Sequence, residues 1–256
     1  EDVGWKAAAV NLSDIAAMGG TPVATFLSIA LPKDAQGEWA ERFIEGYTRI
    51  SRQYDVPLLG GDTTSSLSHI AINVGVLGRC PSGKRLMRSG AKIGETIYVT
   101  GPLGDSAGGL QAILKGISRT EEVNTLILRH KRPVPRIDAG RILMETGKVG
   151  AMMDISDGIA SDLRHILNAS GIGAVIALDK LPCSPELVAV CEEQGWNRFE
   201  LATGGGEDFE LLFTGPEGLE SELGIEVYPI GRTVPGNDII WTIGGKSVDF
   251  DFDALE

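Results

Sequence analysis

Cysteine is scarce in this chain of 256 residues: Cys80, Cys183 and Cys191 stand apart and form no CxxC pair. That spacing excludes a disulfide framework and a cysteine-built structural zinc site, and makes a reducing, cytoplasmic setting the expected one. Histidine is as rare. His69, His130 and His165 show no metal-ligand spacing and are expected to be structural or exposed. Long apolar runs are missing too: none approaches the roughly 20 residues a membrane-spanning helix needs, so no membrane partner is expected. Basic residues lag behind acidic ones, 23 against 35, and the resulting net charge of −12 argues against a nucleic-acid partner. A chain this acidic can hold phosphate ligands only where cations or a few placed Arg and Lys residues intervene. It opens Glu1-Asp2-Val3, with neither an initiator Met nor a signal-peptide pattern, as expected of a fragment or a trimmed chain.

What is present is an ordinary globular composition, 43% hydrophobic and 23% charged, long enough for one large domain or two packed lobes. The order of elements reads as α/β. Periodicity predicts a helix over 5–18, with Trp5, Ala8, Ala9, Leu12, Ile15 and Ala16 on one face and Asn11 and Asp14 together on another. A strand over 25–31 ends at Pro32. A helix over 37–54 buries Trp39, Phe43, Tyr47 and Ile50. Strands follow over 56–59 and 69–77. The Pro- and Gly-containing stretch 79–94 reads as a boundary between two lobes, 1–87 and 88–256. Beyond it, helices are expected at 105–115, 137–146 and 159–169. Strands are expected at 96–100, 152–153, 174–178, 209–214, 227–230 and 239–242.

Three familiar patterns fall away. Gly104-Asp105-Ser106-Ala107-Gly108-Gly109 is similar to a serine-protease nucleophile loop, but it leads into a helix, and a triad needs partners as well as the serine. A tight strand-to-helix turn is the better reading. Gly244-Gly245-Lys246-Ser247 resembles the end of a P-loop, yet Ile240 stands where the first Gly is required, which leaves a hairpin turn. Asp249, Asp251 and Asp253 imitate an EF-hand start, but position six is Ala254; an exposed acidic edge is expected.

Four acidic segments survive: Asn11-Leu12-Ser13-Asp14, Gly60-Gly61-Asp62-Thr63-Thr64, Asp154-Ile155-Ser156-Asp157-Gly158 and Gly204-Gly205-Gly206-Glu207-Asp208. The Gly-rich ones and the Asp-Gly step read as turns, where backbone approaches a ligand closely and hard oxygens suit Mg²⁺. Ser156 and Asp157 fall at a helix start, where one cap is the ordinary need; two carboxylates and a hydroxyl exceed it. Gly204 to Glu207 also suits a hairpin turn. Gathered by folding, the four segments suit polyphosphate held through metal ions.

The strings NLSDIAAMG (11–19), GGDTT (60–64), RSGA (88–91), YVTG (98–101) with Gly104-Asp105-Ser106, DISDG (154–158) and GGEDFE (205–210) occur in this order. Together they resemble the thiamine-monophosphate kinase family, within the aminoimidazole-ribonucleotide-synthetase-like superfamily, from about Trp5 to Ile230. The resemblance implies a two-lobed α/β (α+β) fold with mixed sheets flanked by helices, and a homodimer built from the first lobes. It implies direct transfer of a phosphoryl group from ATP to thiamine monophosphate, giving thiamine diphosphate without a phosphoenzyme. Carried over by motif, Asp14, Asp62, Asp154 and Asp157 are Mg²⁺ ligands, with Asp154 and Asp157 at the catalytic centre. Gly61, Asp62, Arg88 and Ser156 contact ATP, and Glu207 faces the thiamine moiety.

Family members carry a further N-terminal segment with Gly-Asp-Asp and Thr-Thr-Asp-type motifs, and a Gly-rich, aromatic C-terminal ending; neither has a counterpart here. Two alternatives stay open on the sequence. One is a relative using ATP on another small acceptor, such as a selenophosphate synthetase. The other is a non-catalytic nucleotide- or metal-binding protein.

Overall fold

The computed structural model describes residues 1–249. The chain runs α1 (Asp2–Ala17), β1 (Thr21–Leu31), α2 (Glu38–Gln53), β2 (Leu58–Ser65), β3 (Ala71–Arg79), β4 (Thr96–Val99), α3 (Asp105–Leu114), α4 (Glu121–Lys131) and α5 (Ile137–Thr146). It continues β5 (Met152–Asp154), α6 (Ile159–Ser170), β6 (Gly173–Ala177), α7 (Pro185–Gln194), α8 (Arg198–Gly204), β7 (Leu211–Gly215), β8 (Tyr228–Val234), β9 (Ile239–Ile243) and β10 (Lys246–Ser247). Among the described residues, no helix is long and apolar enough to cross a membrane.

Two sheets organise these elements. The first has the order β2-β1-β3, with β2 parallel and β3 antiparallel to β1, because α2 carries the chain back between β1 and β2. The second has the order β10-β9-β6-β8-β4-β7-β5 and is mixed, with β6 and β9 parallel. Helix α1 lies between the sheets, packing on α2 and β3 on one side and on α5 and β5 on the other. One apolar cluster accordingly joins Trp5, Leu12, Phe43 and Tyr47 to Tyr98, Leu143, Met152 and Phe213. Close approach of α1 to α2 requires glycine. A Cβ on Gly4 would stand 1.9 Å from the Phe43 carbonyl oxygen, and one on Gly46 would stand 1.9 Å from that of Glu1.

The Gly60–Thr64 segment is not a turn. It lies inside β2, with Gly60 to Thr64 paired in register to Phe26 to Ala30 of β1. Packing overrides turn preference there: a Cβ on Gly61, at φ 151°, would stand 1.7 Å from the Leu27 carbonyl oxygen. The Gly204–Glu207 segment is not a hairpin either, since Gly204 closes α8 and an irregular loop then leads to β7. The 244–245 turn does join antiparallel β9 and β10, with Gly244 and Gly245 both at positive φ. Asp251 and Asp253 lie outside the described residues.

Candidate active site

Helix α1 presents Ser13 and Asp14 to the end of β5. Ser13 is fully buried and its hydroxyl donates to Asp154 Oδ2 at 2.5 Å. Asp14 and Asp154 line one cavity of about 330 Å³ with Arg88, Met152 and Met153. Burial raises the pKa of both carboxyls, Asp14 is pushed further by the charge of Asp154, and the Arg88 guanidinium opposes both rises. Asp157 adds its own repulsion to Asp154. Asn11 is not among the residues lining the cavity, and its amide donates to the Ala7 carbonyl of its own helix at 2.8 Å.

The loop after β5 is shaped by a residue the sequence reading passed over. Asp162, 1% exposed, turns back from α6 and accepts the N–H groups of Ser156 at 2.8 Å and Asp157 at 3.0 Å. Burial pushes its carboxyl up to about 6. Neither Ser156 nor Asp157 caps the helix: Gly158 holds the N-cap position, without a side-chain bond. The signal for Asp162 was present, as a carboxylate within the apolar stripe Ile159, Leu163, Ile166 of an amphipathic helix.

Gly61 and Asp62 do not line the Asp14–Asp154 cavity. Asp62 sits on the exposed edge strand β2, opposite Ser28. Among the described residues no three or more His, Cys, Asp or Glu side chains form a metal cage. The Asp14–Asp154 pair nevertheless suits Mg²⁺, which keeps several waters and takes one or two carboxylates together with substrate phosphates.

Glu207 lines other cavities than Asp14 and Asp154 do, beside Ser106 and Asp208 in one and beside Ser106 and His130 in another. Its backbone and that of Phe209 adopt positive φ, 65° and 52°, a strained state for residues other than glycine. The strain is held by hydrogen bonds from Glu207 N to the Ser156 carbonyl at 2.8 Å and from Phe209 N to the Ile155 carbonyl at 2.9 Å. The loop bearing Glu207 is thus bonded directly to the loop bearing Ser156. Lys6 of α1 meets Glu207 Oε2 at 2.9 Å, and His130 Nδ1 lies 3.6 Å from the same oxygen. Burial first, then the Lys6 charge, lowers the pKa of His130.

Ser106 Oγ lies 3.0 Å from His130 Nδ1, which brings serine, histidine and carboxylate together. It is not a hydrolytic triad. Ser106 and Glu207 both approach Nδ1, whereas a triad needs its acid on the nitrogen opposite the serine, and Ser106 is 2% exposed. Asp208 accepts the N–H groups of Gly104 and Ser106 at 2.7 and 3.1 Å, tying the loop to the start of α3. Glu210 is buried against Arg136 and accepts from the Thr100 hydroxyl at 2.7 Å.

The family descriptions "AIR synthase related protein, N-terminal domain" and "C-terminal domain" match residues 1–80 and 92–242. The chain is 38% identical to the thiamine-monophosphate kinase of Aquifex aeolicus, over 97% of this chain and 79% of that protein. It is 41% identical to that of Salmonella typhimurium, over 90% of this chain and 69% of that one. A crystal structure of the Aquifex aeolicus protein superposes with a TM-score of 0.88 at 37% identity, covering 97% of this chain and 82% of that one. A structure of AaThiL complexed with AMPPCP and TMP superposes with a TM-score of 0.87, covering 97% and 78%.

Proposed function

The chain belongs to the thiamine-monophosphate kinase family, and from that premise we propose that its Asp14–Asp154 cavity is where ATP and the acceptor phosphate meet. The reaction is ATP-dependent phosphorylation of thiamine monophosphate. Its chemistry explains the side chains at hand. The acceptor is a phosphate monoester with a second pKa near 6, so near neutrality most of it already carries the attacking oxygen unprotonated. No general base is needed; charge repulsion and alignment dominate the barrier.

The observation that carries the reading is the joining of two loops: Asp14, Arg88 and Asp154 line the cavity, and the loop that leaves Asp154 is hydrogen-bonded at Ser156 to the loop bearing Glu207. Asp14, Asp154 and Asp157 would hold Mg²⁺, which supplies the positive charge that lets anionic phosphates approach. Arg88 adds a permanent, planar cation for phosphate oxygens. Ser156, with its backbone fixed by Asp162, contacts the nucleotide, and Glu207 takes the thiamine moiety. Asp62 and Gly61 would join the ATP site from β2, and Asp62 would supply a further metal ligand.

A homodimer belongs to the same proposal. The three-stranded sheet leaves Val23, Phe26, Leu59 and Leu77 exposed, and exposed apolar side chains on an open sheet favour a partner surface. Sedimentation is expected to give the mass of two chains, and Phe26→Lys that of one; a wild-type monomer at micromolar concentration would rule the dimer out. A cytoplasmic setting fits the three free cysteines; thiol titration of freshly isolated protein is expected to find them reduced, and oxidised pairs would contradict it.

The function is tested by following thiamine diphosphate in a mixture of protein, ATP, Mg²⁺ and thiamine monophosphate. Product is expected, and excess EDTA is expected to abolish it. Turnover that persists in EDTA would overturn the metal assignment. No product in the absence of chelator would overturn the acceptor.

A further inference from the structure

Helix α1 touches both ends of the site. Lys6 meets Glu207, and Ser13, seven residues later on the same face, meets Asp154. At 1.5 Å of rise per residue the two contacts lie about 10 Å apart along one rigid helix. Asp14 beside Ser13 already belongs to the phosphate end. Lys6 has no such role.

Its contact is specific. A single oxygen of Glu207, Oε2, takes the Lys6 ammonium at 2.9 Å and lies 3.6 Å from His130 Nδ1. The other oxygen, Oε1, accepts no hydrogen bond among the described residues. The Lys6 side chain is 22% exposed and that of Glu207 43%, so the pair is only partly open to water. Glu207 also sits at left-handed φ on a loop between α8 and β7. A glutamate so placed would sample several rotamers without a partner, and immobilising one such side chain on ligand binding costs roughly 0.5–1.5 kcal/mol.

We propose that Lys6 is a positioning residue for acceptor binding: its ammonium fixes the Glu207 carboxylate before the substrate arrives and leaves Oε1 for the thiamine moiety. The inference rests on the assignment of Glu207 to the acceptor. It makes α1 the element that relates the acceptor end of the site to the phosphate end, through Lys6 at one and Ser13 and Asp14 at the other.

The test is steady-state kinetics of K6M, K6R, E207Q and the K6M/E207Q double variant in the full-length protein, each checked by its melting temperature. K6M is expected to raise KM for thiamine monophosphate roughly five- to tenfold, the scale of one lost preorganising contact. KM for ATP is expected to stay unchanged and kcat to fall less than KM rises. K6R should restore most of the affinity, and K6M should add nothing in the E207Q background. Two results overturn the role of Lys6: wild-type KM in K6M while E207Q raises it, or equal losses in kcat and in both KM values. Wild-type KM in E207Q would instead remove the Glu207 assignment, and the inference with it. If K6M does not fold, K6Q is read in the same way.

Discussion

Asp154→Asn is expected to lower kcat/KM for thiamine monophosphate by at least about a hundredfold, a loss of about 2.7 kcal/mol in transition-state stabilisation. The replacement keeps size and shape and removes only the charge. Asn can still accept from Ser13, so the packing between α1 and β5 survives. What disappears is the anion that, under the proposed assignment, would hold a divalent cation among phosphates together with Asp14. The same substitution should leave the fold as stable or more so. Burial raises the Asp154 pKa, which means that the folded protein disfavours its charged form, and the neighbouring Asp14 adds repulsion. A melting temperature that holds or rises while activity is lost identifies a group retained for chemistry at the expense of stability. Retained kcat/KM in a folded Asp154→Asn protein would sink the assignment.

Arg136→Ala is expected to act through stability. Its guanidinium makes a two-pronged contact with Glu210, whose side chain is 5% exposed on the strand-entry segment before β7. Removing one partner of a buried pair strands the other charge, at a cost of about 3–5 kcal/mol. Because the Arg136 side chain is 37% exposed, the expected loss is smaller, about 2–4 kcal/mol in unfolding free energy. Thr100 continues to donate to Glu210 and softens the loss without neutralising it. The double replacement R136M/E210M should be milder than Arg136→Ala, since no charge is then left buried. Urea unfolding at constant m-value measures both, and a shift below about 0.5 kcal/mol for Arg136→Ala would show that Glu210 has another way to reach water.

Much of the architecture was legible because local pattern and tertiary packing agree. Helices α1, α2, α5 and α6 and most strands follow their apolar periods, with boundaries shifted by a few residues. Helices α4, α7 and α8 were missed although α4 and α7 carry start signals. Thr120 accepts from Val123 N before α4, and Ser184 precedes Pro185 and accepts from Leu187 N before α7. Their apolar stripes are only two to three residues long, which gives periodicity little to register. The Gly60–Thr64 segment failed for the opposite reason. Its residues favour a turn, but pairing with β1 and contact with Leu27 demand glycine in an extended strand.

The site divides along the same line. Sequence alone determined the chemistry available: carboxylates at Asp14, Asp154, Asp157 and Glu207 and an Arg at 88, in an order specific to one family. Such information is local, because each motif carries its own side chains and backbone preferences. Only the tertiary structure decided that Asp162 organises the Ser156 loop, that Ser106 meets the wrong nitrogen of His130 for a triad, and that Lys6 reaches Glu207 across 201 positions of chain. Contacts between residues so far apart depend on how α1 is clamped between two sheets, and the energy of that clamp belongs to the packed core as a whole rather than to any motif within it.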